Sequence, residues 1–63
     1  MWKVVHMANT RKDAELVETI LTEEGFLVKV KPVTKDQENG ICEIAVLESE
    51  VEEAHSILLY RGL

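Results

Sequence analysis

The chain has 63 residues, a formal net charge of −5 and a single cysteine, Cys42. A chain this short forms one domain and hides only roughly 60% of its unfolded surface, so it needs a compact core or a partner subunit. One cysteine excludes an internal disulfide, and the acidic balance argues against general binding to nucleic acids or anionic membranes.

The acidic excess belongs to the C-terminal half, where seven acidic residues after Lys35 are accompanied only by Arg61. No apolar run approaches the roughly 20 residues of a transmembrane helix. The N-terminus also lacks the charged-then-apolar order that is typical of a signal peptide. These features predict a cytoplasmic protein in which Cys42 is reduced.

The first part of the chain predicts a strand followed by a helix. The strand covers residues 2–8, which are rich in valine and are followed by turn-forming residues. Thr10 and Asp13 have the spacing of a helix-capping box, although Glu or Gln is the usual partner. Apolar residues then recur at helical spacing from Ala14 to Leu21. We therefore expect helix one to begin at Thr10.

Gly25 is expected to end helix one, because glycine adopts the left-handed conformation found at helix ends. Phe26 follows as the apolar residue that packs back on the last turn. Phe26, Val28 and Val30 then alternate with Leu27, Lys29 and Lys31. This alternation predicts a half-buried second strand, ended by Pro32, which has no amide hydrogen to donate.

A polar loop is predicted over residues 33–40, with a turn at Asn39-Gly40. The continuously apolar run Ile41–Leu47 predicts a third, central strand. Ser49, with Glu52 three residues later, has the full capping-box pattern and predicts the start of helix two. Gly62 is expected to end that helix.

The resulting order is βαββα in one domain, residues 1–63. A right-handed crossover from strand one to strand two leaves a gap that strand three fills antiparallel to both. This predicts an α+β, two-layer sandwich with a three-stranded antiparallel sheet of order 1-3-2 and both helices on one face. It is the ferredoxin-like arrangement without its fourth strand.

The strand patterns also predict which side chains face the helices. Phe26, Val28 and Val30 are assigned to the helix side, together with Cys42, Ile44 and Val46 and, in strand one, Val5 and Met7. The other face is then apolar and uncovered, which usually indicates a protein interface. We expect a homodimer that buries this face or pairs the edges of strand one. The candidate interface residues are Trp2, Val4, His6, Leu27, Ile41, Ala45 and Leu47.

The turn before helix one is the best candidate for ligand binding. Free amides at a helix N-terminus attract anions, and Arg11 and Lys12 add positive charge there. Asn9, Thr10, Arg11 and Lys12 are therefore a candidate site for a phosphate or carboxylate group. The glycine-rich spacing of phosphate loops is absent, so an ordinary solvated helix start is the favoured interpretation.

Three other side chains carry groups that could take part in chemistry. His6 is interpreted as a packed or interface histidine rather than a ligand, since no partner lies near it in sequence. Cys42 is interpreted as a buried core residue rather than a reactive thiol. His55, three residues after Glu52, is interpreted as part of a solvated helix face rather than a metal site. No catalytic residue, metal site or cofactor is predicted.

Several segments together resemble a known family. They are Trp2-Lys3-Val4-Val5, Thr10, the helix from Ala14-Glu15, Glu24-Gly25-Phe26-Leu27-Val28, and Leu47 to Ala54. The chain is similar to the prokaryotic signal-transducing proteins, small bacterial domains of unknown function grouped by fold with the PII-like, ferredoxin-like proteins. The resemblance implies a cytoplasmic, bacterial, regulatory module and assigns no catalytic residue.

The sequence thus predicts a non-enzymatic regulatory or protein-interaction module, a homodimer that binds neither nucleic acid nor membrane. The alternative is a small-ligand sensor that binds an anion or nucleotide at the start of helix one. An enzyme is the least supported of the classes considered.

Overall fold

The computed structural model describes residues 1–33 and 40–63. Residues 34–39 of the predicted loop, including Asn39 of the predicted turn, lie outside the described residues. The elements follow the predicted order. They are β1 (Trp2–Ala8), α1 (Arg11–Glu23), β2 (Lys29–Pro32), β3 (Cys42–Leu47), a 3-10 turn (Glu48–Glu50) and α2 (Val51–Tyr60).

The strands of the described residues form one antiparallel sheet of order β1-β3-β2, as predicted. Both helices pack on the same side of this sheet, because their buried residues join the inward residues of the strands in a single cluster. The molecule is therefore an α+β, ferredoxin-like two-layer structure. The central position of β3 explains why its sequence is the most continuously apolar.

The core lies between the sheet and the two helices. Cys42, Ile44 and Val46 of β3 are buried on the helix side, which confirms their predicted orientation. Phe26 is also buried, and Val28 and Val30 pack against the same cluster, so their predicted side is confirmed too. β2 itself is shorter than predicted and starts only at Lys29. The other buried members are Val5, Ala8, Ala14, Val17, Leu21, Ala54 and Leu58.

A β-bulge in β1 overturns part of the predicted side-chain assignment. Val4 lies opposite Ala45, but His6 lies opposite Ile44, so Val5 is an extra residue in the pairing. An extra residue reverses the alternation beyond it. Val5 is buried as predicted, whereas Met7 is 48% exposed on the far side, where it was expected to face the helices. His6, expected on the uncovered face, lies on the helix side instead.

Helix α1 begins and ends as its sequence signals predict. The Thr10 hydroxyl accepts a hydrogen bond of 3.1 Å from the Asp13 amide, which satisfies one free donor of the first turn. At the other end, Gly25 has a φ of 94°. The Phe26 amide donates to the Leu21 carbonyl at 3.0 Å. This backbone pattern, with two apolar residues brought together at the helix end, is the Schellman motif.

Replacing Gly25 with alanine should lower the free energy of unfolding by about 1–2 kcal/mol, because L-residues are strained in the left-handed region. A Cβ atom at Gly25 would meet nothing within 4 Å among the described atoms, so the cost is conformational and not steric. Urea unfolding measures the change in the free energy of unfolding. Gly25→Asn should lower this free energy by less than Gly25→Ala, since asparagine tolerates the left-handed conformation. Equal stability of Gly25→Ala and the original chain would contradict the prediction.

Helix α2 differs from its prediction at the start. It begins at Val51 after the 3-10 turn, with Glu50 as the preceding cap residue. Within the described residues, no side chain caps this end, so the predicted capping box of Ser49 and Glu52 does not form. The end of α2 is as predicted, because Gly62 has a φ of 80°.

Candidate functional site

The main candidate site is the side of the sheet that faces away from the helices, here called the open face. Its position follows from the strand register and from the alternation of buried and exposed residues. Among the described residues, no layer of structure covers it. The open face consists of Trp2, Val4, Met7, Leu27, Lys29, Lys31, Ile41, Glu43, Ala45 and Leu47.

The apolar part of the open face extends across β1 and β3. Trp2 lies opposite Leu47, and Val4 lies opposite Ala45. Trp2 is 40% exposed and Val4 is 46% exposed. Directly opposed side chains on one face of an antiparallel pair lie close enough to touch, so these residues form a continuous apolar surface. Of the predicted interface residues, only His6 is removed from this face.

Lys29 adds a cation to this surface. Its Nζ atom lies 5.3 Å from the centroid of the Trp2 ring, a distance at which an ammonium group is attracted to an aromatic face. The two residues stand on the outer strands, Lys29 opposite Ala45 and Trp2 opposite Leu47, so their contact crosses β3 diagonally.

The charged residues of the open face, Lys29, Lys31 and Glu43, were not among the interface residues predicted from the sequence. The alternation along β2 already placed Lys29 and Lys31 outward, but their neighbours depend on the register. Lys31 lies directly opposite Glu43, and Met7 lies opposite Glu43 from the other side. The register of the strands cannot be obtained from their sequences alone. In addition, the bulge in β1 places Met7 on the open face, where the sequence did not predict it.

At the predicted anion site at the start of α1, one backbone amide and one hydroxyl are already bonded to each other. The Thr10 side chain already accepts the Asp13 amide hydrogen. The Asp13 carboxylate adds negative charge to the first turn, which opposes the charge of Arg11 and Lys12. Asn9, Arg11 and Lys12 are exposed. Anion binding at these four residues stays a prediction.

His6 occupies the boundary between the sheet and the helices. Its Nε2 atom lies 3.6 Å from Oδ2 of Asp13, which is beyond hydrogen-bond distance, and it has no hydrogen-bond partner among the described residues. With His55 it lines a cleft of about 210 Å³ whose other walls are apolar. His6 is thus partly buried, and its interpretation as a packed or interface histidine stays a prediction.

A second cleft, of about 300 Å³, lies between α1 and β2. Glu15 and Glu18 line it together with Arg11, so acidic groups outnumber basic ones among its walls. Cys42 borders this cleft but is 7% exposed, in agreement with its predicted role as a core residue. The mixed charges of this cleft indicate no particular ligand.

No group of three or more His, Cys, Asp or Glu side chains in residues 1–33 and 40–63 is arranged to hold a metal ion. Within the same ranges, no helix has both the length and the apolar character needed to cross a bilayer.

The fold and the open face together define the class of molecule: a small α+β, ferredoxin-like domain with helices on one side of its sheet. Comparisons with protein families, with curated proteins and with solved structures find no match for the chain.

Proposed function

We propose that this chain is a non-enzymatic, regulatory protein-interaction module that binds a protein partner through the open face. One observation carries the proposal: the two sides of the same sheet differ in their covering. The helix side is packed against α1 and α2, whereas the other side exposes Trp2, Val4 and Met7 to solvent. A contiguous exposed apolar patch of this kind is typical of a protein interaction site.

The regulatory role and the cytoplasmic location follow from the family resemblance of the sequence and belong to the same proposal. The alternative role, an anion sensor at the start of α1, has weaker support. The Asp13 amide is already bonded there, and the Asp13 carboxylate disfavours a second negative group.

Val4→Lys tests the open face, and Leu16→Lys is its matched control. Both residues are exposed aliphatics, at 46% and 51%, but Leu16 lies on α1, away from the sheet. We expect Val4→Lys to abolish capture of a protein partner that the original chain and Leu16→Lys both retain. Circular dichroism of the two variants confirms that both are folded. A partner captured equally by Val4→Lys would overturn the assignment of the open face.

A further inference from the structure

Resting on the proposed function, we infer that oxidation of Met7 to its sulfoxide is a reversible switch that turns the open face off. Met7 is one of the exposed apolar side chains of β1 on this face, with Trp2 and Val4. Among the described residues of the open face it carries the only thioether, a group that peroxides oxidise reversibly. The bulge at Val5 places it there, because regular alternation would have turned Met7 towards the helices.

The oxidation requires a peroxide and no catalytic group from the protein. The lone pair of the thioether sulfur attacks one peroxide oxygen, the oxygen–oxygen bond breaks, and a sulfur–oxygen bond forms. With hydrogen peroxide, the departing hydroxide takes the proton of the transferred oxygen and leaves as water. The sulfur loses two electrons to the peroxide, and a flexible apolar side chain becomes a polar one.

The exposure of the sulfur groups directs a peroxide to Met7 and away from the core. Met7 is 48% exposed and is not part of the core cluster, so its oxidation leaves the packing intact. The Cys42 side chain belongs to the core and is only 7% exposed. Met1 is 86% exposed but lies outside the open face, so its oxidation leaves that face unchanged.

The residue opposite Met7 offers a sulfoxide no hydrogen-bond donor. Glu43 lies directly across from Met7 in the register, and an ionised carboxylate only accepts hydrogen bonds. Lys31 stands on the far side of Glu43, two strands from Met7. The sulfoxide oxygen therefore takes its hydrogen bonds from water. A partner that covers the face removes this water and buries an unsatisfied polar atom, so oxidation of the free chain weakens partner binding.

Peroxide treatment of the full chain tests the inference, with anilinonaphthalene sulfonate as the fluorescent probe of exposed apolar surface. Trypsin cuts after Lys3 and Arg11, so mass spectrometry of the peptides separates oxidation of Met1 from oxidation of Met7. We expect oxidation of Met7 to weaken dye binding by at least about fivefold without changing the circular dichroism. Methionine sulfoxide reductases should restore dye binding, as two thiols of the added reductant form a disulfide and the oxygen leaves as water.

Two substitutions of Met7 are the matched controls. Met7→Leu keeps an apolar side chain without a sulfur atom, so its dye binding should not respond to peroxide. Met7→Gln places a permanent polar group on the face and should bind the dye as weakly as the oxidised chain. A response that persists in Met7→Leu, or dye binding that is unchanged when Met7 carries the oxygen, would overturn the inference. Unfolding on oxidation would overturn it too, because the effect would then act through the core.

Capture of a protein partner separates this inference from the proposed function. A partner that is lost with Val4→Lys and also after oxidation of Met7 supports both. A partner that is lost with Val4→Lys but retained after oxidation of Met7 refutes the switch and leaves the proposed function intact. A partner that Val4→Lys retains refutes the proposed function and the switch with it.

Discussion

Replacing Leu21 with alanine should lower the free energy of unfolding by about 2–5 kcal/mol. Leu21 is fully buried in α1 and is among the largest of the fully buried side chains. Truncation removes apolar contacts and leaves a cavity that the surrounding core fills only in part. The Leu21 carbonyl also accepts the Phe26 amide hydrogen in the motif that ends α1. Loss of the Leu21 side chain therefore also weakens the packing at the end of this helix, where the chain turns towards β2.

The expected loss is large compared with the stability of so small a domain. Folded proteins have roughly 5–15 kcal/mol of stability, and short chains lie at the lower end because they bury less surface. Urea unfolding followed by circular dichroism measures the change, with Leu16→Ala as the control. Leu16 belongs to the same helix but is 51% exposed, so its truncation should change stability by less than about 0.5 kcal/mol. Similar losses for both variants would contradict the description of the core.

The second large effect is expected from enlarging a buried alanine. Ala54 of α2 is fully buried within the core cluster. Ala54→Leu should cost about 1–3 kcal/mol, because the added atoms force neighbouring side chains from their preferred positions. The measurement is again the midpoint of urea unfolding, with the slope checked for a change in cooperativity.

Ala14 provides the matched control for Ala54. It is almost as buried, at 2% exposed, but it borders the cleft of about 300 Å³ between α1 and β2. A leucine at position 14 has space into which to extend, so Ala14→Leu should cost clearly less than Ala54→Leu. If the two substitutions destabilise the chain equally, the cleft does not provide that space.

Much of the fold could be predicted because several sequence signals agreed. The alternation along β3 placed Cys42, Ile44 and Val46 inward, since the other register would have buried Glu43. Thr10 and Gly25 indicated the two ends of α1. These signals depend on neighbours only two to five positions apart, so local rules were sufficient for them.

The wrong assignments have a different physical origin. Met7 and His6 exchanged sides because the bulge adds one residue to β1, and strict alternation contains no sign of an addition. The start of α2 was misplaced because a 3-10 turn over Glu48–Glu50 precedes it. Ser49 lies inside that turn, so its side chain is too early in the chain to cap the α-helix.

The open face was predicted in outline but not in detail. Its apolar members followed from the strand patterns together with the placement of both helices on one side. The contact between Lys29 and Trp2 joins residues far apart in sequence, and it depends on the register of both outer strands against β3. Such a contact becomes visible only when the three strands are assembled.

The extra residue in β1 affects how relatives of this chain would be aligned. A relative with a regular first strand has one residue fewer between the positions equivalent to Val4 and His6. Without a gap at Val5, every residue before it would be matched to one from the opposite side of the sheet. Apolar and polar positions would then be interchanged in the comparison, and a true relative would score as unrelated over its first strand.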